Sequence, residues 1–146
     1  VNNLPKLLKK QIILDLKKIT SKRKNFANLN FKKIPNIMGV LNLTPDSFSD
    51  GGKFNTKKKS LKKIIQMLTS GANIIDIGGE STRPSSKIIS PTVEWERVKI
   101  IIKGFKKKFP RSLLSIDTRK SLVMSNSIKY GVDIINDVSC FKFDSH

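Results

Sequence analysis

The sequence predicts an α/β protein built from consecutive parallel βα units, and three observations lead to this prediction. Four short apolar runs without a helical period recur along the chain. Segments with apolar residues at helical spacing lie between these runs. Polar residues are concentrated directly after the runs, where the carboxyl ends of parallel strands form binding sites. The pattern therefore predicts four strand–loop–helix units that share one site.

Residues 1–33 are predicted to form an N-terminal extension or cap, and residues 34–146 the main domain. Lysines lie opposite an apolar face that has helical spacing, which indicates an amphipathic helix. A basic amphipathic helix on a membrane surface is one interpretation. A helix or extension packed on the main domain is the preferred one. The apolar face consists of Leu4, Leu8, Ile12, Leu16 and Ile19.

The main domain alternates strands with helices. Gly71 and Gly131 are predicted to end the first and third helices, and Pro91 lies at the start of the second. The predicted strands are 37–43, 73–77, 113–116 and 132–135, and the predicted helices are 56–70, 92–109 and 120–130. The faces expected to be buried carry Leu61, Ile64, Ile65 and Leu68 in the first helix, and Trp95, Val98, Ile101, Ile102 and Phe105 in the second.

Size and composition suit one packed domain. The chain has 146 residues, of which 38% are hydrophobic, enough to build a core. No apolar run approaches the roughly 20 residues of a membrane helix, and no secretory signal is recognisable. Cys140 is the single cysteine and cannot form an internal disulfide, and a single histidine does not build a Cys/His zinc site. These features predict a cytoplasmic protein.

The net charge of +18 first suggests a nucleic-acid ligand. The excess is mostly lysine spread along the chain, and the arginines and aromatic residues that would stack on bases are sparse. Lys, Ile and Asn share A/T-rich codons, so a nucleotide bias explains their joint abundance. Solvated lysine faces are therefore the preferred interpretation, with no nucleic-acid or membrane partner. The charge can still attract an anionic small molecule.

The loop GGESTRPSS, residues 78–86, has the small residues and hydroxyls of an anion-binding loop. Arg83 carries a planar fork suited to phosphate or carboxylate. A glycine turn with an ordinary capping hydroxyl is the alternative. Asn42, just after the first strand, could complete a Mg²⁺ shell beside a diphosphate, although an Asn in this place is commonly a turn former.

The later strand ends carry two polar side chains that can recognise a ring edge. Asp117 can accept two hydrogen bonds from a 2-amino-4-oxo heterocycle, or it can cap the next helix, a role that Thr118 could fill instead. Asn136 offers a donor and an acceptor beside it. Asp76 is expected to be buried and to need partners, and its alternative role is to fix the backbone of a neighbouring loop.

Four segments together resemble the dihydropteroate synthase family. IMGVLNLTPDSFSDGG (37–52) and GANIIDIGGESTRP (71–84) resemble its two signature segments. SIDTRK (115–120) and GVDIINDVS (131–139) resemble its next two strand ends. The match runs almost without gaps over residues 37–139.

The resemblance implies the first four βα units of a (βα)8 TIM barrel and a transferase of folate biosynthesis that uses Mg²⁺. The family condenses 6-hydroxymethyl-7,8-dihydropterin diphosphate with 4-aminobenzoate, which gives 7,8-dihydropteroate and diphosphate. Those small molecules are the implied partners.

The resemblance also implies roles for individual residues. Asn42 is the implied Mg²⁺ ligand, and Asp117 and Asn136 are implied to read the pterin edge. Phe48 is implied to flank the aminobenzoate ring. The residues implied to meet substrate near the diphosphate and aminobenzoate are Thr82 and Arg83, and the implied catalytic set is Asn42, Thr82, Arg83 and Asp117.

A barrel of this type typically needs about 250 residues. The family's later strands are expected to supply another aspartate, a lysine and an Arg-x-His pair. The preferred expectation is therefore part of a working synthase, as a fragment of a longer chain or one piece of a split enzyme. If the chain as given is complete, no measurable condensation activity is expected. The alternative is a truncated, non-catalytic remnant with at most weak pterin or diphosphate binding. A homodimer is expected only for a complete barrel.

Overall fold

The computed structural model describes residues 4–21, 25–27, 29–30, 35–44, 53–81 and 86–145, without the side chains of 53–56. The chain divides into two compact units, residues 1–34 and 35–146. Within the described ranges, no helix combines the length and the apolar character needed to cross a lipid bilayer. The predicted cytoplasmic location stays a prediction.

The first unit contains helix α1, Lys6–Thr20. Its last turn is closed by the Thr20 hydroxyl, which donates to the Leu16 carbonyl at 2.8 Å. Helix α1 has no buried side chain, and Leu8, Leu16 and Ile19 of its apolar face are exposed. The helix itself is as predicted, while its role as an extension or cap packed on the main domain stays a prediction.

The second unit is a four-stranded parallel sheet in the order β1-β2-β3-β4, which confirms the predicted α/β fold. Each boundary lies within three residues of the predicted one. The strands are β1 Met38–Asn42, β2 Ile74–Gly78, β3 Leu113–Asp117 and β4 Ile134–Asn136, and the helices between them are α2 Lys53–Thr69, α3 Pro91–Lys108 and α4 Ser121–Lys129.

One face of the sheet packs against the helices and forms the core, because side chains alternate between the two faces of a strand. The sheet contributes Leu41, Ile75, Ile77, Leu114 and Ile116, and the helices contribute Ile64, Val98, Ile101, Ile102, Phe105 and Val123. The opposite face carries the row Val40, Asp76 and Ser115, with Ile134 paired to Ser115. The sheet is thus apolar toward the helices and carries polar groups on its other side.

The predicted inward face of α2 was wrong at one position. Ile65 is 42% exposed, whereas Ile64 is fully buried and Leu61 and Leu68 pack against the core. Positions 61, 64 and 68 follow the i, i+3, i+7 line of one helix face. Ile65 is the residue after Ile64 and therefore lies to the side of this face. Trp95 of α3 is half-buried and stacks on Tyr130, with ring centroids 5.9 Å apart.

Glycine and proline end or begin the helices as predicted. Gly71 and Gly131 have φ of +100° and +85°, a left-handed conformation that side chains resist. Pro91 is the first residue of α3, and the Ser90 hydroxyl accepts from the Val93 N–H at 3.3 Å. These caps return the chain to the amino end of each following strand.

Candidate functional site

Four residues, one from each strand, form a row at the carboxyl edge of the sheet. The register pairs Asn42 with Gly78, Gly78 with Asp117, and Asp117 with Asn136. In-register residues of parallel strands point to the same face, here the face opposite the helices. The structure therefore brings Asn42, Asp117 and Asn136 together as the sequence predicts.

Gly78 lies buried in the middle of this row, where a larger residue would crowd its neighbours. A Cβ added there would lie 3.2 Å from Asn42 Oδ1 and 3.6 Å from Asp117 Oδ2. Both oxygens thus lie beside the bare backbone of Gly78. The absence of a side chain at position 78 therefore allows Asn42 and Asp117 to approach each other across β2.

Asp76 precedes Gly78 by two residues on β2, on the same face of the sheet, and is 3% exposed. Its Oδ2 accepts a hydrogen bond from Asn136 Nδ2 at 3.0 Å, while its Oδ1 is buried without a partner among the described residues. The described part of the chain shows no hydrogen bond from a loop backbone group to Asp76. Among the described residues, the side chain of Asp76 therefore holds the site residue Asn136, and its alternative role in fixing a loop stays a prediction.

The pKa of Asp117 is raised from 3.8 to about 6. Burial is the largest cause, and the negative charges of Asp76, Glu94, Asp137 and Glu80 add to it. A carboxylate in these surroundings gains from a donor-rich or cationic ligand. Perturbed groups of this kind are typical of functional sites.

The alternative role of Asp117 as a helix cap was wrong. The N–H and the hydroxyl of Ser121, the first residue of α4, both donate to Asp144 Oδ2 at 2.8 Å. The hydroxyl of Thr118 accepts from the Lys120 N–H at 3.3 Å. Within the described residues Asp117 makes no such bond, so its carboxylate stays available at the row.

A buried ion-pair cluster that the sequence analysis missed joins Lys120 to Glu80 and Glu94. Lys120, 2% exposed, places Nζ 2.7 Å from Glu94 Oε2 and 3.0 Å from Glu80 Oε1. Glu80 also accepts from the Ile89 N–H at 2.9 Å and lies 3.4 Å from Arg119. These contacts anchor both ends of the loop that begins at Gly79.

The surroundings of Glu80 in this cluster favour its ionised form. Burial by itself would raise the pKa of Glu80, but the Ile89 N–H and the charges of Lys120 and Arg119 lower it below 4.5. A sequence signal was available, because Glu94 stands at helical spacing with the buried Val98 and Ile101. A carboxylate on an inward helix face needs a buried partner.

Thr82, Arg83 and Phe48 lie outside the described residues, so their site roles stay predictions. Asn42 is exposed and presents a neutral oxygen at the edge of the sheet. The described residues contain no group of three or more His, Cys, Asp or Glu side chains suited to a metal. Asn42 nevertheless fits Mg²⁺ as a single protein ligand, because Mg²⁺ commonly takes one or two such ligands together with phosphate oxygens and waters.

Comparisons with known proteins point in one direction. The sequence model of the family described as "Pterin binding enzyme" matches residues 38–146. The chain is 47% identical over 127 residues to dihydropteroate synthase of Clostridium beijerinckii. This match covers 87% of this chain and 45% of that protein. It is 48% identical over 108 residues to dihydropteroate synthase of Streptococcus pyogenes serotype M1, covering 74% and 40%. The chain thus spans less than half the length of these relatives.

Solved structures give the same result. Dihydropteroate synthase from Clostridium difficile, determined with pteroic acid, superimposes with a TM-score of 0.75 and 42% identity over 80% of this chain and 44% of that one. Dihydropteroate synthase from Xanthomonas albilineans, determined with 4-aminobenzoic acid, gives a TM-score of 0.69 and 38% identity over 75% and 40%. The sheet and this similarity together confirm the predicted fold, the first four βα units of a TIM barrel.

Proposed function

The chain belongs to the family of pterin binding enzymes, and we propose that it acts in folate biosynthesis as part of a dihydropteroate synthase-like transferase. The reaction condenses 6-hydroxymethyl-7,8-dihydropterin diphosphate with 4-aminobenzoate. The products are 7,8-dihydropteroate and diphosphate. The two substrates are the proposed small-molecule partners, and a homodimer stays a prediction for a complete barrel.

The observation that carries this proposal is the in-register row at the carboxyl edge of the sheet. Asp117 and Asn136 are neighbours in it, and Asp117 is a carboxylate short of partners in acidic surroundings. The 2-amino-4-oxo edge of a pterin offers adjacent N–H donors, which match the two oxygens of a carboxylate. Binding such an edge would stabilise the ionised form of Asp117.

The other end of the row suits the diphosphate. Asn42 lies on β1, two strand spacings from Asp117 on β3, or about 10 Å across the sheet. The two side chains converge over Gly78 between them, since a Cβ placed there would lie 3.2 Å from Asn42 Oδ1 and 3.6 Å from Asp117 Oδ2, so both can contact one ligand. Asn42 would hold Mg²⁺ there, and Thr82 and Arg83, which follow the anchored start of the second loop, would contact the same groups. Mg²⁺ would neutralise the charge that gathers on the diphosphate as it leaves.

The chemistry needs no protein nucleophile. The bond between the pterin methylene carbon and a diphosphate oxygen breaks, and the aniline nitrogen forms the new C–N bond and releases a proton. Asp117 and Asn136 hold the ring while it delocalises positive charge, and the first two loops exclude water from the reacting carbon. Phe48 would flank the aminobenzoate ring in that closed state.

Calorimetry with the purified chain tests the binding half of the proposal. We expect 6-hydroxymethyl-7,8-dihydropterin diphosphate to bind and Asp117→Asn to weaken binding by about tenfold or more, since a charge-assisted hydrogen bond is worth about 1.5–3 kcal/mol. Asn42→Ala should weaken only the Mg²⁺-dependent part of the affinity. Asp137→Asn is the matched control, because it removes the same charge near Asp117 but its carboxylate accepts, among the described residues, only from Ser139 and Phe141.

A condensation assay with 4-aminobenzoate tests the catalytic half. The chain is assayed by itself and with the remaining part of the Clostridium beijerinckii relative added as a separate polypeptide. Product in either arm supports a working transferase. Binding without product in both arms indicates the non-catalytic remnant, and equal affinity of the wild-type chain and Asp117→Asn would refute the assigned pterin site.

A further inference from the structure

The carboxamide of Asn136 reaches across one whole strand to meet Asp76. Asp76 lies on β2 and Asn136 on β4, with β3 between them, so about 10 Å of sheet separates their backbones. The hydrogen bond from Asn136 Nδ2 to Asp76 Oδ2 closes this distance at 3.0 Å. The amide therefore lies over β3, beside its in-register neighbour Asp117.

The hydrogen-bonding chemistry of Asp76 determines whether Nδ2 or Oδ1 of Asn136 faces it. A carboxylate only accepts hydrogen bonds, whereas an amide offers a donor at one end and an acceptor at the other. A reversed Asn136 would point Oδ1 at Asp76 Oδ2, placing two acceptors against each other. Asp76 Oδ1 has no partner among the described residues, so reversal would leave the whole buried carboxylate unpaired. The reversed amide is thus disfavoured by about tenfold or more.

We propose that Asp76 is a positioning residue that locks the Asn136 carboxamide with its Oδ1 available to a ligand. The Asn136 Oδ1 makes no hydrogen bond within the described part of the chain. Together with Asp117, it then presents acceptors side by side on the floor of the site. The site consequently selects a heterocycle edge rich in donors, such as a 2-amino-4-oxo edge, over the 2,4-dioxo edge, which puts an acceptor in place of the amino group. This selectivity rests on the proposed function, whereas the locked amide does not.

The locked amide is tested by NMR on the ligand-free, ¹⁵N-labelled chain, with Asn136 assigned from the variant Asn136→Asp. We expect one Asn136 side-chain proton to be shifted downfield and protected from exchange with water. Asp76→Leu removes the acceptor while it keeps a branched side chain with the same number of heavy atoms, and it should abolish both effects. Asp76→Asn, a milder change, should give two amide orientations or a weakened shift. Asp137→Asn should leave the signal as in the wild type.

The selectivity for a 2-amino-4-oxo edge is tested by comparing the affinities of 6-hydroxymethylpterin and its 2,4-dioxo counterpart, 6-hydroxymethyllumazine. We expect the wild-type chain and Asp137→Asn to favour the 2-amino compound by about tenfold or more, as one mismatched hydrogen bond in a buried site allows. In Asp76→Leu and Asp76→Asn this ratio should fall several-fold toward one. A general loss of structure would weaken both compounds equally and leave the ratio unchanged.

The outcomes separate the two proposals. Unprotected Asn136 protons in the wild-type chain, or an unchanged affinity ratio in Asp76 variants that unfold in urea like the wild type, overturn the role of Asp76. If neither pteridine binds the wild-type chain, the proposed function fails and the NMR result alone decides whether Asp76 locks the amide.

Discussion

Replacing Asp117 by Asn should stabilise the fold at neutral pH while it removes the residue proposed to read the pterin. The pKa of Asp117 rises from 3.8 to about 6 in the folded chain. A raised pKa means that the folded state holds a proton that the unfolded state has released. The contribution of Asp117 to stability is therefore fully present below pH 3.8 and is lost as the pH rises through about 6.

The magnitude follows from the size of the shift. About two pKa units at about 1.4 kcal/mol each give an upper value of about 3 kcal/mol. Asp117 is only half-buried, and solvent screening reduces this value. We therefore expect Asp117→Asn to gain about 1–3 kcal/mol in unfolding free energy at pH 7.5 relative to the wild type, with little difference near pH 4.

Urea unfolding between pH 4 and 7.5 measures this difference, with the fluorescence of Trp95, the single tryptophan, as the signal. Asp137→Asn is the control of opposite sign. In the wild-type chain, slight burial raises the pKa of Asp137. The hydroxyl and N–H of Ser139 and the Phe141 N–H donate to this carboxylate and lower its pKa below 3.8. The contribution of Asp137 is thus present above pH 3.8 and lost as the pH falls below that value.

A stability difference between wild type and Asp117→Asn that stays constant from pH 4 to 7.5 would refute this reasoning. A difference that grows toward low pH would refute it as well. The same titration predicts that a pterin binds more tightly above pH 6 than below it, because a donor-rich edge prefers the ionised carboxylate.

Three further predictions concern the frame around the site. Lys120→Met should lower the unfolding free energy by about 3–5 kcal/mol in urea at pH 7, because it leaves the fully buried Glu94 without its cation; a loss below about 1 kcal/mol would contradict this. Gly79→Ala should lower the unfolding free energy by about 1–3 kcal/mol, because its Cβ would lie 2.8 Å from Val98 Cγ1. The control Gly104→Ala lies in open space within α3 and should raise the unfolding free energy by about 0.5–1 kcal/mol. Gly78→Ala should weaken pterin binding in calorimetry, because its Cβ would lie 3.2 Å from Asn42 Oδ1 and 3.6 Å from Asp117 Oδ2 and would displace these side chains; unchanged affinity would show that binding does not depend on their positions.

Much of the fold could be predicted from the sequence because its signals are local. Helical spacing in 92–109 and the glycines at 71 and 131 depend on neighbours a few residues away, and the structure places α3 and both helix ends accordingly. The error at Ile65 is also instructive. Spacing defines a broad apolar face, and only the position of the sheet decides where that face ends.

The site was only partly predictable. Polar residues after apolar runs identified the carboxyl edge of a parallel sheet, and the register then aligned Asn42, Asp117 and Asn136 in one row. The buried cluster of Lys120 with Glu80 and Glu94 was missed, because a lysine after a strand resembles the many solvated lysines of this chain. The burial of Lys120 depends on the packing of α3 against Gly79 and Glu80, which the sequence alone does not show.

The sequence by itself determined the order of strands and helices, the shared edge and the family resemblance, since each depends on short stretches of chain. The tertiary structure alone decided which polar groups pair. Asp76 and Asn136 are separated by 60 residues, and their contact depends on the register of three strands and on burial that removes competing water. For that reason the sequence could show that Asp76 needed a partner, and only the fold could show that the partner was Asn136.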